Sequence, residues 1–260
     1  HFHSRRWKYG MNVHDTAVIS SSAELGVDVE IGPYSVIGDH VRLGAGSRVG
    51  AFCHLGITTG LANNQSLKVG ARAIIRSHSV LYSGSTIGDD LVTGHHVCIR
   101  ENSIIGTGVQ IGSRSDVQGD CEIGDFTKLH ADVHVGKKSI IGKFCWLFPD
   151  VLLTNDPIPP SEILNGPKIS DYVVIASKAL LFPGVRIGSD SFVSAASVVK
   201  NDVDRFSLVS GDPAKRKCDI RILRMPDDPR LKAYPWRFRF QRGYPEQVQE
   251  DWKVGEPGND

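Results

Sequence analysis

The sequence lacks the features that mark nucleic-acid-binding, membrane-spanning or disulfide-stapled proteins. Its 30 basic and 29 acidic residues leave a formal net charge of +1, which gives no reason to expect a nucleic acid partner. It has no apolar run long enough to cross a bilayer and no recognisable secretory signal. Five cysteines are present without a CxxC pair, so we expect reduced thiols. These absences together favour a cytoplasmic protein without a membrane span.

What the sequence does contain is a six-residue repeat. Residues 87–146 divide into sixes that begin IGDDLV, TGHHVC, IRENSI and IGTGVQ, and an aliphatic residue opens almost every block. The same register runs upstream from Val13 to Leu61, resumes at Val69, and returns downstream from Ile169 to Val199. A fixed period over so much of the chain is typical of a solenoid.

Six residues suit a short strand followed by a tight corner. Three such units make a triangular coil of eighteen residues, and stacked coils pair as parallel strands about 4.8 Å apart. We expect the opener and the residue four places on to point inward, where space is narrow. The residue four places after the opener is accordingly small, as at Ser103, Ser115 and Thr127. Three of the cysteines occupy this same position: Cys53, Cys121 and Cys145. Gly directly after the opener is interpreted as easing the backbone into the corner.

This repeat resembles that of the hexapeptide-repeat acyltransferases. The resemblance implies an all-β fold, a left-handed parallel β-helix of about ten coils, and a homotrimer with active sites between neighbouring subunits. We expect residues 11–215 to form the β-helix domain and residues 216–260 a C-terminal extension that covers a nucleotide or packs on the trimer surface. Residues 1–10 are interpreted as an N-terminal arm or a tag remnant.

Two breaks in the repeat and the end of the β-helix carry more local resemblances. The run ARAIIRSHSVLYSGST follows the first break and is similar to the UDP-N-acetylglucosamine acyltransferases of lipid A synthesis. The second break, TNDPIPPS, resembles the nucleotide-sugar N-acetyltransferases, and its prolines predict an extended loop. SLVSGDPAK resembles the end of the β-helix in the same enzymes, the part that binds acyl-CoA, with Asp212 in place of the usual Asn.

Residues eighteen apart should stack on one edge or corner, which predicts a catalytic pair. His134 and Asp116 should point outward on adjacent coils, within hydrogen-bond reach. A carboxylate beside an imidazole fixes its tautomer and raises its basicity, as a general base requires. His96, or His95, which has the corner position of the lipid A enzymes' His, competes for this role. A third alternative is that the departing CoA thiolate accepts the proton.

The resemblance also implies where the substrates bind. Acetyl-CoA or another acyl-CoA would lie along the final coils, and a nucleotide-linked amino sugar would enter from the other end. The residues expected to bind the sugar nucleotide are His95, Glu101, Asn102, Arg114, Asn155 and Asp156. Those expected to bind the acyl-CoA are Ala176, Ser194, Ala195, Lys200, Lys215 and Arg216.

The main functional prediction is an acyl-CoA-dependent N-acyltransferase, most simply an N-acetyltransferase, acting on a UDP- or dTDP-linked amino sugar for cell-surface polysaccharide such as O-antigen or lipopolysaccharide. The alternatives are an O-acyltransferase of the lipid A type and a zinc enzyme resembling the β-helix carbonic anhydrases, with His130, His134 and His95 or His96 as ligands. A non-catalytic scaffold is a further alternative. We expect no bound metal, because the histidine spacing matches the carbonic anhydrases poorly.

Overall fold

The computed structural model describes residues 12–62 and 65–254, so the predicted N-terminal arm lies outside the described residues. Within these ranges, the hexapeptides fold into coils whose short strands build three parallel sheets. We call these sheets faces A, B and C, in the order in which the chain visits them. This confirms the predicted all-β parallel β-helix.

Face A contains twelve strands among the described residues, and its last pair is antiparallel. They are β1 (Asn12–Val13), β4 (Glu30–Ile31), β7 (Arg48–Val49), β10 (Ile74–Ile75), β13 (Val92–Thr93), β16 (Gln110–Ile111), β19 (Lys128–Leu129), β22 (Trp146–Leu147), β25 (Val174–Ile175), β28 (Phe192–Val193), β30 (Ser207–Ser210) and β31 (Lys215–Asp219).

Face B contains ten strands in the same part of the chain. They are β2 (Val18–Ile19), β5 (Val36–Ile37), β8 (His54–Ile57), β11 (Val80–Tyr82), β14 (Cys98–Ile99), β17 (Asp116–Val117), β20 (His134–Val135), β23 (Leu152–Leu153), β26 (Leu180–Leu181) and β29 (Val198–Val199).

Face C contains nine strands within the described ranges. They are β3 (Glu24–Leu25), β6 (Arg42–Leu43), β9 (Lys68–Val69), β12 (Thr86–Ile87), β15 (Ile104–Ile105), β18 (Glu122–Ile123), β21 (Ile140–Ile141), β24 (Lys168–Ile169) and β27 (Arg186–Ile187). Three 3₁₀ turns (Gly60–Ala62, Ile220–Ile222 and Trp236–Phe238) and the helix α1 (Glu246–Val254) complete the elements.

The core is filled by the openers, one from each face in every coil, and those of one face stack above each other from coil to coil. Ile99, Ile105 and Ile111 are buried, and the small side chains four places on are buried beside such openers, including Ser103 and Cys121. Burial raises the pKa of the Cys121 thiol to about 11, so this cysteine fills space as an inert thiol. The inward direction of both repeat positions is therefore as predicted.

Glycine after the opener has a different role from the one predicted. A Cβ added to Gly94 would lie 2.3 Å from the backbone N of Ser113, and one added to Gly112 would lie 2.3 Å from the carbonyl carbon of His130. Close contact between neighbouring coils therefore requires glycine here. The left-handed corner conformation falls two residues later, for example on His96 (φ 57°).

The C-terminal segment, residues 220–254, folds back onto face A. Trp236, Tyr244 and Trp252 are buried there against aromatic side chains of the coils. Trp236 Nε1 donates a hydrogen bond to the Tyr172 carbonyl at 3.1 Å, which fixes the segment to the corner beside face A. Of the helices in the described residues, none is long and apolar enough to cross a membrane.

Candidate active site

The centre of the candidate site is a histidine–carboxylate pair on face B. Strands β17 and β20 are parallel neighbours in which Asp116 pairs with His134, so both side chains point outward on adjacent coils. His134 Nδ1 lies 3.0 Å from Asp116 Oδ1, and the two side chains are 38% and 29% exposed. The structure thus brings together the two residues that the eighteen-residue spacing paired.

Asp116 is held as a carboxylate. Burial raises its pKa, but hydrogen bonds from His134 and Gln118 outweigh this, and the net pKa lies below the ordinary value. Because a carboxylate can only accept, the proton of a neutral His134 resides on Nδ1. Nε2 is then left with a free lone pair, which is the state that a general base needs.

The neighbouring positions on face B carry no competing base. Cys98 precedes Asp116 in the same column, and Leu152 follows His134. Burial, followed by the charge of Asp116, raises the pKa of the Cys98 thiol, so it remains protonated at neutral pH. The pair is therefore flanked by a neutral thiol and an aliphatic side chain.

Two loops leave face B at its corner with face C, one on each side of this pair. The first follows β8 and the second follows β23, five strands further along the sheet, or roughly 24 Å by the usual strand spacing. Asp116 and His134 lie on the two strands just before β23. The two breaks in the repeat therefore lie at the two ends of one stretch of face B, from β8 to β23.

The first loop is tied to two of the predicted sugar-binding residues. Thr59 Oγ1 donates to Glu101 Oε1 at 2.5 Å, and Arg100 Nε forms an ion pair with the same carboxylate at 3.0 Å. Asn102 Nδ2 donates to the Leu61 carbonyl at 3.0 Å and to Asp120 Oδ1 at 3.1 Å. Glu101 is buried, so its side chain supports the loop, whereas Asn102 remains partly accessible.

The second loop is organised by Asp156. Its carboxylate accepts hydrogen bonds from the backbone N–H of Ile158 at 3.0 Å and of Ser161 at 2.7 Å. The hydrogen bonds from Ser161 hold the pKa of Asp156 below its ordinary value. The backbone carbonyl of Asn155 accepts a hydrogen bond from the Asn165 N–H at 2.7 Å, and this bond does not involve the side-chain amide of Asn155. Asn155 is thus better placed than Asp156 to contact a ligand.

The remaining predicted residues lie at the A–B corner and make contacts of their own there. His96 stacks on His78 at 4.6 Å between ring centroids, and His95 Nδ1 lies 2.8 Å from Ser77 Oγ. Arg114 forms a bidentate, exposed pair with Asp132, with bonds of 2.7 and 2.6 Å. These residues stack along the corner, where His95 and His96 contact a hydroxyl and a ring, whereas Arg114 contacts a carboxylate.

The residues predicted to hold acyl-CoA lie on the last coils. The N–H groups of Ala176 and Ser194 already donate to the Val193 and Val209 carbonyls, both at 2.9 Å, so a pantetheine arm would need other groups there. Lys200 pairs with Asp212 at 3.1 Å. Arg216 Nε donates to Ser207 Oγ at 3.2 Å, and Lys215 is exposed at the start of β31.

Sequence reasoning did not single out Gln118, Arg100 or Thr59 for this site. The period of two along a strand predicts that Gln118 points outward beside Asp116, but it does not predict the hydrogen bond between them. Thr59 lies in a break of the repeat, where the register carries no positional information. Its contact with Glu101 could only be seen in three dimensions.

Histidines do not converge within the described chain. His130 stacks on Phe148 at 4.6 Å beside face A, whereas His134 projects from face B. Among residues 12–62 and 65–254, no group of three His, Cys, Asp or Glu side chains is arranged to hold a metal ion. The coils of six-residue units that build three parallel sheets are typical of the hexapeptide-repeat β-helix class of proteins.

Comparison with proteins of known activity shows which family within this class the chain belongs to. The chain is 30% identical over 206 residues to the acyl-(acyl-carrier-protein)–UDP-N-acetylglucosamine O-acyltransferase of Saccharophagus degradans, covering 78% of this chain and 72% of that protein. The corresponding Stutzerimonas stutzeri enzyme is 28% identical over 221 residues, with coverages of 77% and 71%. This chain therefore belongs to the family of UDP-N-acetylglucosamine O-acyltransferases.

A solved structure supports the fold. The UDP-N-acetylglucosamine acyltransferase of Arabidopsis superposes with a TM-score of 0.59 at 22% identity, covering 79% of this chain and 73% of that one. No family model matches the sequence. The predicted acyltransferase class is confirmed, and the relatives match the O-acyltransferase alternative better than the N-acyltransferase prediction.

Proposed function

We propose that this protein transfers an acyl group from a thioester carrier to a hydroxyl of a UDP-linked N-acetylglucosamine, with His134 as general base. The observation that carries the proposal is the 3.0 Å contact between His134 Nδ1 and Asp116, which leaves Nε2 free to accept a proton. The names of the relatives support the acceptor, and they specify acyl-carrier protein as the donor. Acyl-CoA, the donor predicted from sequence, presents the same thioester chemistry.

The reaction follows from the chemistry of the pair. His134 Nε2 takes the proton of the acceptor hydroxyl while the oxygen attacks the thioester carbonyl, forming the new C–O bond. Collapse of the tetrahedral intermediate breaks the C–S bond, and the thiolate leaves with the proton returned by the imidazolium. Asp116 stabilises that imidazolium because its own pKa is lowered and it stays ionised throughout.

Binding roles follow from the two loops and the final coils. Asn102 and the amide of Asn155 would contact the sugar nucleotide from opposite sides of the pair. Glu101 would act indirectly by holding Thr59 and the first loop. The donor would approach from the coils that carry Lys200, Lys215 and Arg216, whose cations suit its phosphate. We also propose a homotrimer, in which a neighbouring subunit would close the site.

N-acylation of a nucleotide-linked amino sugar is the second candidate. It is favoured by the Thr154–Asn155–Asp156 sequence, which forms an ordered loop beside face B. An amine is a better nucleophile than a hydroxyl and needs a base less. The two candidates therefore differ in how strongly turnover should depend on His134.

The test is a transfer assay with a matrix of donors and acceptors. Acyl-carrier-protein thioesters and acyl-CoAs of several chain lengths would be combined with UDP-N-acetylglucosamine and with UDP- and dTDP-amino sugars, and free thiol and acylated product would be quantified. We expect an ester of UDP-N-acetylglucosamine. Formation of only amide products would favour the second candidate, and the absence of thiol release in every combination would overturn both.

A further inference from the structure

A groove on face A lies apart from the His134–Asp116 pair of face B and includes Ala176 and Ala195, two of the residues predicted to bind acyl-CoA. It consists of two adjoining cavities of about 570 and 640 Å³, which share Trp146 and Arg242 as lining residues. The C-terminal segment forms one wall of both, and the coils form the floor. Volumes of this size are typical of small-molecule sites.

The larger cavity is apolar. Trp146, Phe148 and Phe192 project from the coils into it, and Trp236 and Phe240 close it from the C-terminal segment. Trp236 is 3% exposed and rigidly held by its hydrogen bond to Tyr172, so the wall is preformed. Small residues such as Ala176 keep the floor open. A space with these walls suits a flexible hydrocarbon chain.

The smaller cavity is basic. Arg76, Lys128 and Arg242 line it together with His130, and no acidic side chain is among the described residues that line it. Arg76 is oriented by a hydrogen bond from Nη1 to the Thr93 carbonyl at 2.5 Å. The surplus of positive charge favours an anion next to the apolar space.

Lys128 lies beneath the C-terminal segment, which it contacts at Gly243 and Tyr244. Its ammonium donates to the Gly243 carbonyl at 2.9 Å and lies 4.0 Å from the centroid of the Tyr244 ring. Burial and the charge of Arg242 lower the pKa of Lys128 to about 8, so it is still mostly charged at neutral pH. A buried cation is therefore maintained between the basic and apolar ends.

We propose that this groove binds an amphiphile in which an acyl or alkyl chain is joined to a phosphate, with the chain among Trp146, Trp236 and Phe240 and the phosphate at Arg76 and Arg242. In a transferase of the proposed kind, two molecules have this chemistry: the acyl donor with its phosphopantetheine, and the acylated sugar nucleotide. This identification of the ligand rests on the proposed function. Binding itself is measurable without turnover.

The probe is decyl phosphate, and the readout is tryptophan fluorescence with calorimetry, below the micellar concentration. We expect decyl phosphate to bind more tightly than inorganic phosphate or decanol alone. Across octyl, nonyl and decyl phosphate, each additional buried CH₂ should tighten Kd by about fourfold. Absence of a chain-length dependence would overturn the apolar assignment.

Two variants and two matched controls locate the site. Phe240→Asp and Arg242→Gln should each weaken decyl phosphate binding by about tenfold or more. Leu231→Asp and Arg224→Gln change exposed residues of the same segment outside the groove, and they should bind as wild type does. Equal affinity in all five proteins would overturn the inference.

The source of the ligand is resolved by competition. Decanoyl-CoA and decanoylated UDP-N-acetylglucosamine would each be titrated against bound decyl phosphate. Displacement by the first identifies the donor, and displacement by the second identifies the product. Displacement by neither would overturn the assignment to a reactant even if the transfer assay succeeds, and failure of the transfer assay leaves the decyl phosphate result standing.

Discussion

Face B around His134 and face A beneath the C-terminal segment are built from the same six-residue repeat, yet they offer opposite chemistry. On face B the outward positions carry Asp116 and His134, which form a partly exposed titratable pair. On face A the outward positions of the neighbouring strands β19 and β22 carry Lys128 and Trp146, which are covered by Tyr244 and its neighbours. The repeat therefore determines where a side chain points, and the residue at the outward position determines its function.

The covering segment explains most of the contrast. Face A buries aromatic side chains because residues 220–254 supply rings that pack against them. On face B, the two loops lie on either side of the His134–Asp116 pair and do not cover it. We therefore expect substitutions on face B to change the reaction rate with little effect on folding, and substitutions on face A to change stability and ligand binding.

The largest effect should come from removal of the base. His134→Ala should lower kcat for acylation of UDP-N-acetylglucosamine by about 10²- to 10⁴-fold, because the remaining Asp116 carboxylate, with its lowered pKa, is a much weaker base than an imidazole. Its free energy of unfolding should stay close to that of wild type, since His134 is partly exposed. His40→Ala, an exposed corner substitution in the first coils, is the control and should retain activity. A fully active His134→Ala would assign the base elsewhere.

A smaller loss should follow from Asp116→Asn. The amide still occupies the position, but it cannot stabilise an imidazolium as the carboxylate does. Loss of a charge-assisted hydrogen bond of about 1.5–3 kcal/mol corresponds to a decrease in kcat of roughly 10- to 150-fold. Steady-state kinetics should show the loss in kcat, with KM little changed. A decrease confined to KM would contradict a role through His134.

On face A, Lys128→Met should reduce stability. The Met side chain fills the space between Trp146 and Tyr244 but leaves the Arg242 and Gly243 carbonyls without their donor. We expect a decrease of about 1–3 kcal/mol in the free energy of unfolding, measured by urea denaturation. Lys168→Met, at an exposed position on face C, is the matched control. Equal stability of the two variants would show that Lys128 does not anchor the segment.

The smallest effect concerns pH and the first loop. Burial raises the pKa of Glu101, but hydrogen bonds from Arg100 and Thr59 outweigh it, so the folded-state pKa lies below the ordinary value. The carboxylate therefore stabilises the fold above its unfolded pKa, and this contribution is lost as pH falls through the folded pKa. Between pH 7 and 3.5, wild type should lose slightly more stability than Glu101→Gln in urea titrations. An equal loss would indicate that the contact does not stabilise the loop.

The parts of the site that could be predicted from sequence are those that depend on the repeat. The eighteen-residue spacing placed His134 beside Asp116, and the inward positions of Ser103 and Cys121 followed from the six-residue period. The contact of Thr59 with Glu101 could not be predicted, because a loop outside the register can approach any neighbouring coil. The cause of the glycine that often follows an opener, the closeness of the next coil, could not be predicted either.

The C-terminal segment was beyond prediction for a related reason. Residues 220–254 have no period, and their aromatic side chains indicate burial without saying against which face. Only the three-dimensional structure shows Trp236 and Tyr244 meeting Trp146. Each end of the groove therefore combines residues of the coils with residues of the C-terminal segment, Arg76 with Arg242 at the basic end and Trp146 with Trp236 at the apolar end.

The most direct test of the central claim compares two acceptors in one variant. The rates of wild type and His134→Ala would be measured with UDP-N-acetylglucosamine and with the analogue that carries an amino group in place of the reacting hydroxyl. If His134 is the base, the variant should lose about 10²- to 10⁴-fold on the hydroxyl and less than about tenfold on the amine. Equal losses on both acceptors, or no loss on the hydroxyl, would contradict the assignment of His134.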